Sequence, residues 1–377
     1  MYRLLILTAL CASWATPAFG LDHVVLRRDG REIEVNGRIL LTATDGGILL
    51  QARDGVLWTV QPSEQVRETS DEADFKPMTM AELSQVLLRE LPKGFDTYQT
   101  THYLICYNTS LPYAKWCGSL FERLYMAFTN CWSRRGFDLH EPEFPLVAIV
   151  FADKRSYTAF AQAEVGEAVS SMIGYFSLQT NRMVMYDLTG VEASGQSGRS
   201  TAAQINRILA QPDAERTVAT IVHEATHQIA FNCGLHTRYS DCPLWFTEGI
   251  AVFFETPDLS SPKGWRTVGA LNQSRLVQFH QYLKQRPPDS LTTLISDDSR
   301  FRDVKQALDA YAEAWALTSF LINQYPRQYI AYLKRLSQKA PMVWDEPATR
   351  LTEFKQFFGD DLKKLDTEFV RFMQRAR

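Results

Sequence analysis

The chain reads as an α+β protein: a small N-terminal all-β module, a mixed middle region and a helical C-terminal part. Three observations carry that reading. Residues 21–66 alternate apolar and polar positions between Gly-containing turns. Residues beyond 94 mix short apolar runs with amphipathic helical spacing, and from about residue 213 onward helical spacing dominates. Strands first and helices later is the α+β order.

In the β module, His23–Arg28, Arg31–Leu41 and Ile48–Gln61 read as strands. Asp29-Gly30, Asp45-Gly46-Gly47 and Asp54-Gly55 supply the turns, because Asp and Gly tolerate the backbone conformations that hairpins need. The polar, acidic stretch Ser63–Lys76 reads as a linker. Helical spacing begins at Met80–Leu91, with Leu83, Val86, Leu87 and Leu91 on one face. Tyr103–Tyr107 and Leu146–Phe151 are strand candidates flanking a long helix, Tyr113–Arg134, and a helix at Ser156–Ala163 follows. Gly174–Ser177 and Arg182–Tyr186 flank Leu178-Gln179-Thr180-Asn181 as a hairpin. The expected division is a leader at 1–20, the β module at 21–66, linker and helix at 67–93, a core domain at 94–260 and helices at 261–377.

The 377 residues carry 40 Lys+Arg against 43 Asp+Glu, a net charge of −3. That balance gives no electrostatic reason to expect nucleic acid or an anionic membrane surface as partner. Aromatic residues at 12% argue against disorder. Arg3, the apolar stretch Leu4–Trp14 and the small-residue site Pro17-Ala18-Phe19-Gly20 have the layout of a signal peptide. Export to the cell envelope or beyond is therefore expected, with no transmembrane segment once the signal is removed, since no later apolar run is long enough to span a bilayer. Five cysteines then remain, Cys106, Cys117, Cys131, Cys233 and Cys242, an odd number that leaves at least one thiol unpaired. Cys117 and Cys131 share one helical pattern about 21 Å apart along its axis, too far for a bond that needs Cα atoms within about 7 Å.

One segment carries chemistry. Thr217–Ala230 contains His223-Glu224-Ala225-Thr226-His227, the pattern H-E-x-x-H. On a helix, residues i and i+4 share a face, so two imidazoles can converge on one metal ion. Glu224 beside them can deprotonate a water held by the metal. Val218, Ile221, Val222, Ala225 and Ile229 form a separate apolar stripe that anchors the helix. Asp213 is expected to cap its start and Gly234 its end. Catalytic zinc takes three protein ligands, and Glu248, on a second helix opening at Pro243-Leu244-Trp245, is the candidate third. Gly249 removes bulk where those two helices must approach. The expected cofactor is one Zn²⁺ per chain.

H-E-x-x-H followed by W-x-x-E-G-x-A at Trp245–Ala251 resembles the gluzincin metallopeptidases. The run from Gly174-Tyr175-Phe176 to Asn181–Asp187 resembles an uncharacterised secreted bacterial branch with a peptidase-like domain. The resemblance covers residues 95–325 and leaves the β module outside. It implies a zincin-like catalytic domain, with His223, His227 and Glu248 as ligands and Glu224 as general base. It also implies that Arg182, Met183, Val184, Met185 and Tyr186 form an edge strand that binds substrate backbone. One position departs from the pattern: several gluzincins place an acid four residues after the glutamate ligand, where this chain has Val252. Glu255 is the alternative orienting group, set against a solvated helix end before Pro257.

Tyr311 resembles the residue that stabilises the oxyanion in this class, although a core-facing aromatic fits its spacing equally; His236 is a further candidate. His140 and His280 carry no supporting pattern. Export also favours a Cys233–Cys242 disulfide across the loop between the two helices, which would fix Glu248 against the histidines. The expected function is an exported zinc-dependent hydrolase, a peptidase acting on peptides or proteins, with the β module engaging an envelope or protein partner. The competing class is a non-catalytic zinc-containing binding or scaffold protein of the envelope.

Overall fold

Asp29 and Gly30 both hold positive φ, 51° and 74°, and close a two-residue hairpin between β1 (Asp22–Arg28) and β2 (Arg31–Thr42). The computed structural model describes residues 20–189, 201–209, 211–257, 265 and 268–376. The expected leader, apart from Gly20, lies outside them. β3 (Ile48–Ala52), β4 (Leu57–Val60) and β5 (Gln65–Ser70) complete an antiparallel sheet in the order β4-β3-β2-β1-β5. Its core is Val24, Leu26, Val35, Ile48, Leu50, Ala52, Val56 and Val60. The run Ile48–Gln61 divides into β3 and β4 at the Asp54-Gly55 turn. β5 falls inside the stretch read as a linker. It pairs with β1 at the sheet edge and all but its first side chain are exposed, so no alternation marks it in the sequence.

The chain divides into two compact units, Met1–Ala114 with Pro142–Ser197 and Lys115–Glu141 with Gly198–Arg377. The first contains the β module and a second sheet. α1 (Met80–Glu90) starts at Thr79, whose side chain accepts from the Glu82 N–H while Glu82 reaches back to the Thr79 N–H. That capping box is worth about 1 kcal/mol. β6 (Asp96–Gln99) and β7 (Tyr103–Tyr107) precede α2 (Leu111–Ser133), which leads on to β8 (Leu146–Phe151), α3 (Lys154–Val165), β9 (Gly174–Phe176) and β10 (Arg182–Tyr186). The sheet order is β6-β7-β8-β10-β9, with β7, β8 and β10 parallel to one another and the two outer strands antiparallel. Leu83 and Leu87 of α1 and Tyr157 and Ala161 of α3 join Leu104, Cys106, Val147, Ile149 and Val184 in one core.

The hairpin of β9 and β10 forms as expected, but Arg182–Tyr186 is an inner strand, not an edge. β8 takes one side of its backbone and β9 the other, so its ladder groups are already paired. Arg182 instead ties the β module to this sheet, bridging Asp54 at 3.2 Å and Glu90 at 2.8 Å. Leu57 N–H donates to the Gln179 carbonyl at 2.8 Å beside it.

The second unit is helical. It takes the residues of α2 from Lys115 onward, then α4 (Ala202–Leu209), α5 (Pro212–Asn232), α6 (Leu244–Phe254), α7 (Gln273–Tyr282), α8 (Ser290–Ser296) and α9 (Ser299–Arg302). α10 (Ala307–Gln324), α11 (Pro326–Ser337), α12 (Pro347–Phe358) and α13 (Leu362–Arg375) follow. Aromatic rings fill its core: Trp245 stacks on Tyr332, Trp132 on Tyr329, and Phe128 meets Phe254 at 5.0 Å. Among the described residues no helix is long and apolar enough to cross a membrane.

Candidate metal centre

α5 begins at Pro212 with Gln211 in the cap position, so Asp213 lies one residue inside the helix; its side chain is outside the described residues. Gly234 follows the last turn at φ 84°, a conformation that Gly adopts without strain. Between these ends, Val218, Ile221, Val222, Ala225 and Ile229 are buried, and they hold the helix so that His223 and His227 share its other face.

Glu248 comes to that face from α6. His223 Nε2 stands 3.0 Å from Glu248 Oε2 and 3.1 Å from His227 Nε2, and His227 Nε2 stands 3.4 Å from Glu248 Oε2. Three ligands at zinc bond lengths in a tetrahedron are about 3.3 Å apart. The triangle is thus of the size that a small tetrahedral cation sets, and the three residues form a group able to bind a metal ion.

The other nitrogen of His223 is engaged as well. Glu255 Oε1 lies 2.8 Å from Nδ1 and accepts a hydrogen bond from Nδ1–H, so that in the neutral ring Nε2 keeps its lone pair. A lone pair, a carboxylate oxygen and a second imidazole nitrogen converging at 3 Å repel unless a metal ion or protons lie between them. Burial is the largest influence on His223 and opposes its charge, yet hydrogen bonds to Glu248 and Glu255 raise its pKa well above 6.5. Burial likewise works against charge on Glu248, and the two histidines overcome it, holding that carboxyl far below the usual range.

Glu255 is thus a buried partner of His223 rather than a solvated helix end, while Val252 is fully buried with no polar group to offer. It is held in turn by Asn272 Nδ2 at 3.2 Å and Arg275 Nη2 at 3.5 Å. Asn272 also caps α7, its Oδ1 accepting from the Arg275 N–H at 3.1 Å. Neither residue carries a signal in the sequence, because their partners are fixed only by the fold.

Gly249 does admit a close helix, but that helix is α10 rather than α5. A Cβ there would stand 2.2 Å from Thr318 Oγ1 and 2.7 Å from the Ala314 carbonyl oxygen. α10 thereby brings Tyr311 to the site, its ring centroid 6.3 Å from that of His223 and under the Arg275 guanidinium. The charge of Glu248, then burial, then the charge of Glu224 raise the Tyr311 pKa strongly, so its hydroxyl keeps its proton and is available as a donor. Glu224 itself is half-buried on α5.

His236 is buried between Phe231 and Phe246 rather than exposed in a loop, with Nδ1 3.6 Å from Cys242 Sγ. His280 hydrogen-bonds the Met373 carbonyl, and His140 packs over Gly234. The expected disulfide is absent: Cys233 and Cys242 are both free thiols. Cys233 closes α5 next to Tyr125, while Cys242 turns to His236. Cys106, Cys117 and Cys131 are buried and form no disulfide either. Arg182–Tyr186 belongs to the first unit and the metal group to the second.

A family model described as a protein of unknown function (DUF1570) matches residues 217–343. The matched stretch includes His223, Glu224, His227, Glu248, Glu255 and Tyr311. Among curated proteins none matches the chain.

Proposed function

We propose that the chain is an exported, zinc-dependent peptidase of the gluzincin kind, acting on a peptide or protein in the periplasm, the cell envelope or outside the cell. The observation that carries the reading is the triangle of His223, His227 and Glu248 with Glu224 on the next position of the same helix. Two imidazoles and one carboxylate suit Zn²⁺ and leave a coordination position open. When bound, zinc supplies Lewis acidity, polarising a carbonyl oxygen and bringing the ionisation of water toward neutral pH. Glu224 accepts the proton of the attacking water and passes it to the leaving amine. Tyr311 donates its hydroxyl proton in a hydrogen bond to the negative charge that develops on the carbonyl oxygen. Glu255 keeps His223 in the tautomer that offers Nε2 to the metal.

The test compares the wild type with Glu224→Gln, by elemental analysis and by profiling cleavage sites in a peptide library. One zinc in both proteins, with cleavage only by the wild type, is the expected result. Zinc in both and cleavage by neither would favour the non-catalytic scaffold; no zinc in wild-type protein never exposed to chelator would end the metal reading.

A further inference from the structure

Leu244 opens α6 without help from its own cap residue, because Pro243 has no side-chain oxygen to offer. Its N–H donates instead to Asp298 Oδ1 at 2.9 Å, an acceptor 54 positions further along the chain. Arg350 of α12 holds that same oxygen through Nη1 at 3.1 Å. The rest of its guanidinium grips Asp241, with Nε 3.1 Å from Oδ2 and Nη2 donating to Oδ1. Asp241 lies in the loop from α5 to α6 and is 1% exposed. Lys339 adds a second cation, 3.4 Å from Asp241 Oδ2 and 2.6 Å from Asp345.

We propose that Arg350 is a positioning residue for the metal centre: by bracing Asp241 and Asp298 together it fixes the first turn of α6 and so the place of Glu248. The proposal rests on the metal reading of the triad. Glu248 follows Leu244 by one helical turn, so a shift or tilt at the helix start is carried directly to its carboxylate. A metal site tolerates only about 0.2 Å of error in ligand distance. The loop from Cys233 to Cys242 has no covalent cross-link, and Arg350 supplies the constraint in its place. A guanidinium is suited to this because its planar fork fits a carboxylate with two bonds and still presents a third donor. Without it, Asp241 keeps only Lys339 among the described residues, at 3.4 Å, and the tie between Asp241 and Asp298 is gone.

The experiment measures zinc dissociation by competition with a chelator, and the visible absorption of the cobalt-loaded protein, for the wild type, Arg350→Met and Arg350→Lys. A zinc dissociation constant about ten-fold higher or more in Arg350→Met is expected, with partial recovery in Arg350→Lys and an altered cobalt band. In a Glu248→Ala background, Arg350→Met should change zinc affinity no further, since the ligand it positions is gone. If Arg350→Met does not fold, Asp298→Ala removes the acceptor of the Leu244 N–H at a less buried site and should weaken zinc similarly. A folded Arg350→Met or Asp298→Ala with wild-type zinc affinity and cobalt spectrum would overturn the proposal while leaving the metal reading intact. A wild type that takes up no zinc overturns both.

Discussion

Glu255 reaches the Nδ1 of His223 from the end of the same helix that sets Glu248 against its Nε2, at 2.8 Å and 3.0 Å. Glu255 stands seven positions after Glu248, about two turns. One helix thus addresses both nitrogens of one imidazole, and its orientation fixes ring position and tautomer together.

Removing that relationship should cost metal before it costs fold. Glu255→Ala leaves His223 Nδ1, Asn272 and Arg275 without their shared acceptor, and zinc affinity should fall by about 10- to 100-fold. Glu255→Gln retains an acceptor oxygen and should fall by less. Equilibrium dialysis against a competing chelator measures both, and equal affinity in all three proteins would assign Glu255 to the helix end alone.

Gly249→Ala tests the approach of α6 to α10. Alanine is favoured over glycine in a helix by about 1 kcal/mol, but the added carbon collides with Thr318 Oγ1 and, less avoidably, with the backbone oxygen of Ala314. Overpacking of this kind costs about 1–3 kcal/mol, so a net loss of stability is expected in thermal melts of metal-free protein. Adding Thr318→Ala should restore only part of it, because the carbonyl stays. Full recovery in the double variant would place all the strain on the threonine side chain.

His236 should make the protein sensitive to acid. Burial is the chief cause, with the charge of His227 next, that lowers its pKa from 6.5 to about 3. The folded state therefore holds the neutral ring, and the unfolded state binds the proton more readily. Its contribution is complete above pH 6.5 and is lost as the pH falls toward 3, at up to about 1.4 kcal/mol per pH unit. Glu248 and Glu255, whose pKa values are also lowered, destabilise the fold in the same direction as acid rises. The informative quantity is therefore the difference between wild type and His236→Leu. Urea unfolding of metal-free protein from pH 7 to 4 should show a shallower decline in the variant; parallel curves would mean that the ring is already protonated when folded.

The metal group was readable because its spacing is local: H-E-x-x-H encodes convergence on one face within a single turn, and W-x-x-E-G marks the helix that meets it. Glu255 was visible as a position two turns along, though only its partner His223 separates an orienting acid from a helix end. Asn272, Arg275, Asp298 and Arg350 were not legible, since each acts on a group distant in sequence. β5 escaped for the opposite reason: an edge strand with almost all its side chains in water has no burial pattern to display. The inner position of Arg182–Tyr186 follows from a parallel pairing with β8, which no turn residue signals. An oxidising compartment would permit a Cys233–Cys242 bridge, but no sequence spacing brings the two sulfurs together, and the fold turns Cys242 to His236 instead.

The order of the second sheet has a consequence for self-association. Its parallel centre, Tyr103–Tyr107, Leu146–Phe151 and Arg182–Tyr186, is built mainly of the apolar, β-prone residues that template strand addition between molecules. Both flanks are instead short antiparallel strands, β6 of four residues and β9 of three. Short edges give an incoming chain few groups to pair with. Truncating the Gly174–Asn181 hairpin arm would bare β10 along its length, and the protein would then be expected to form thioflavin-positive aggregates under conditions where the intact chain stays dispersed.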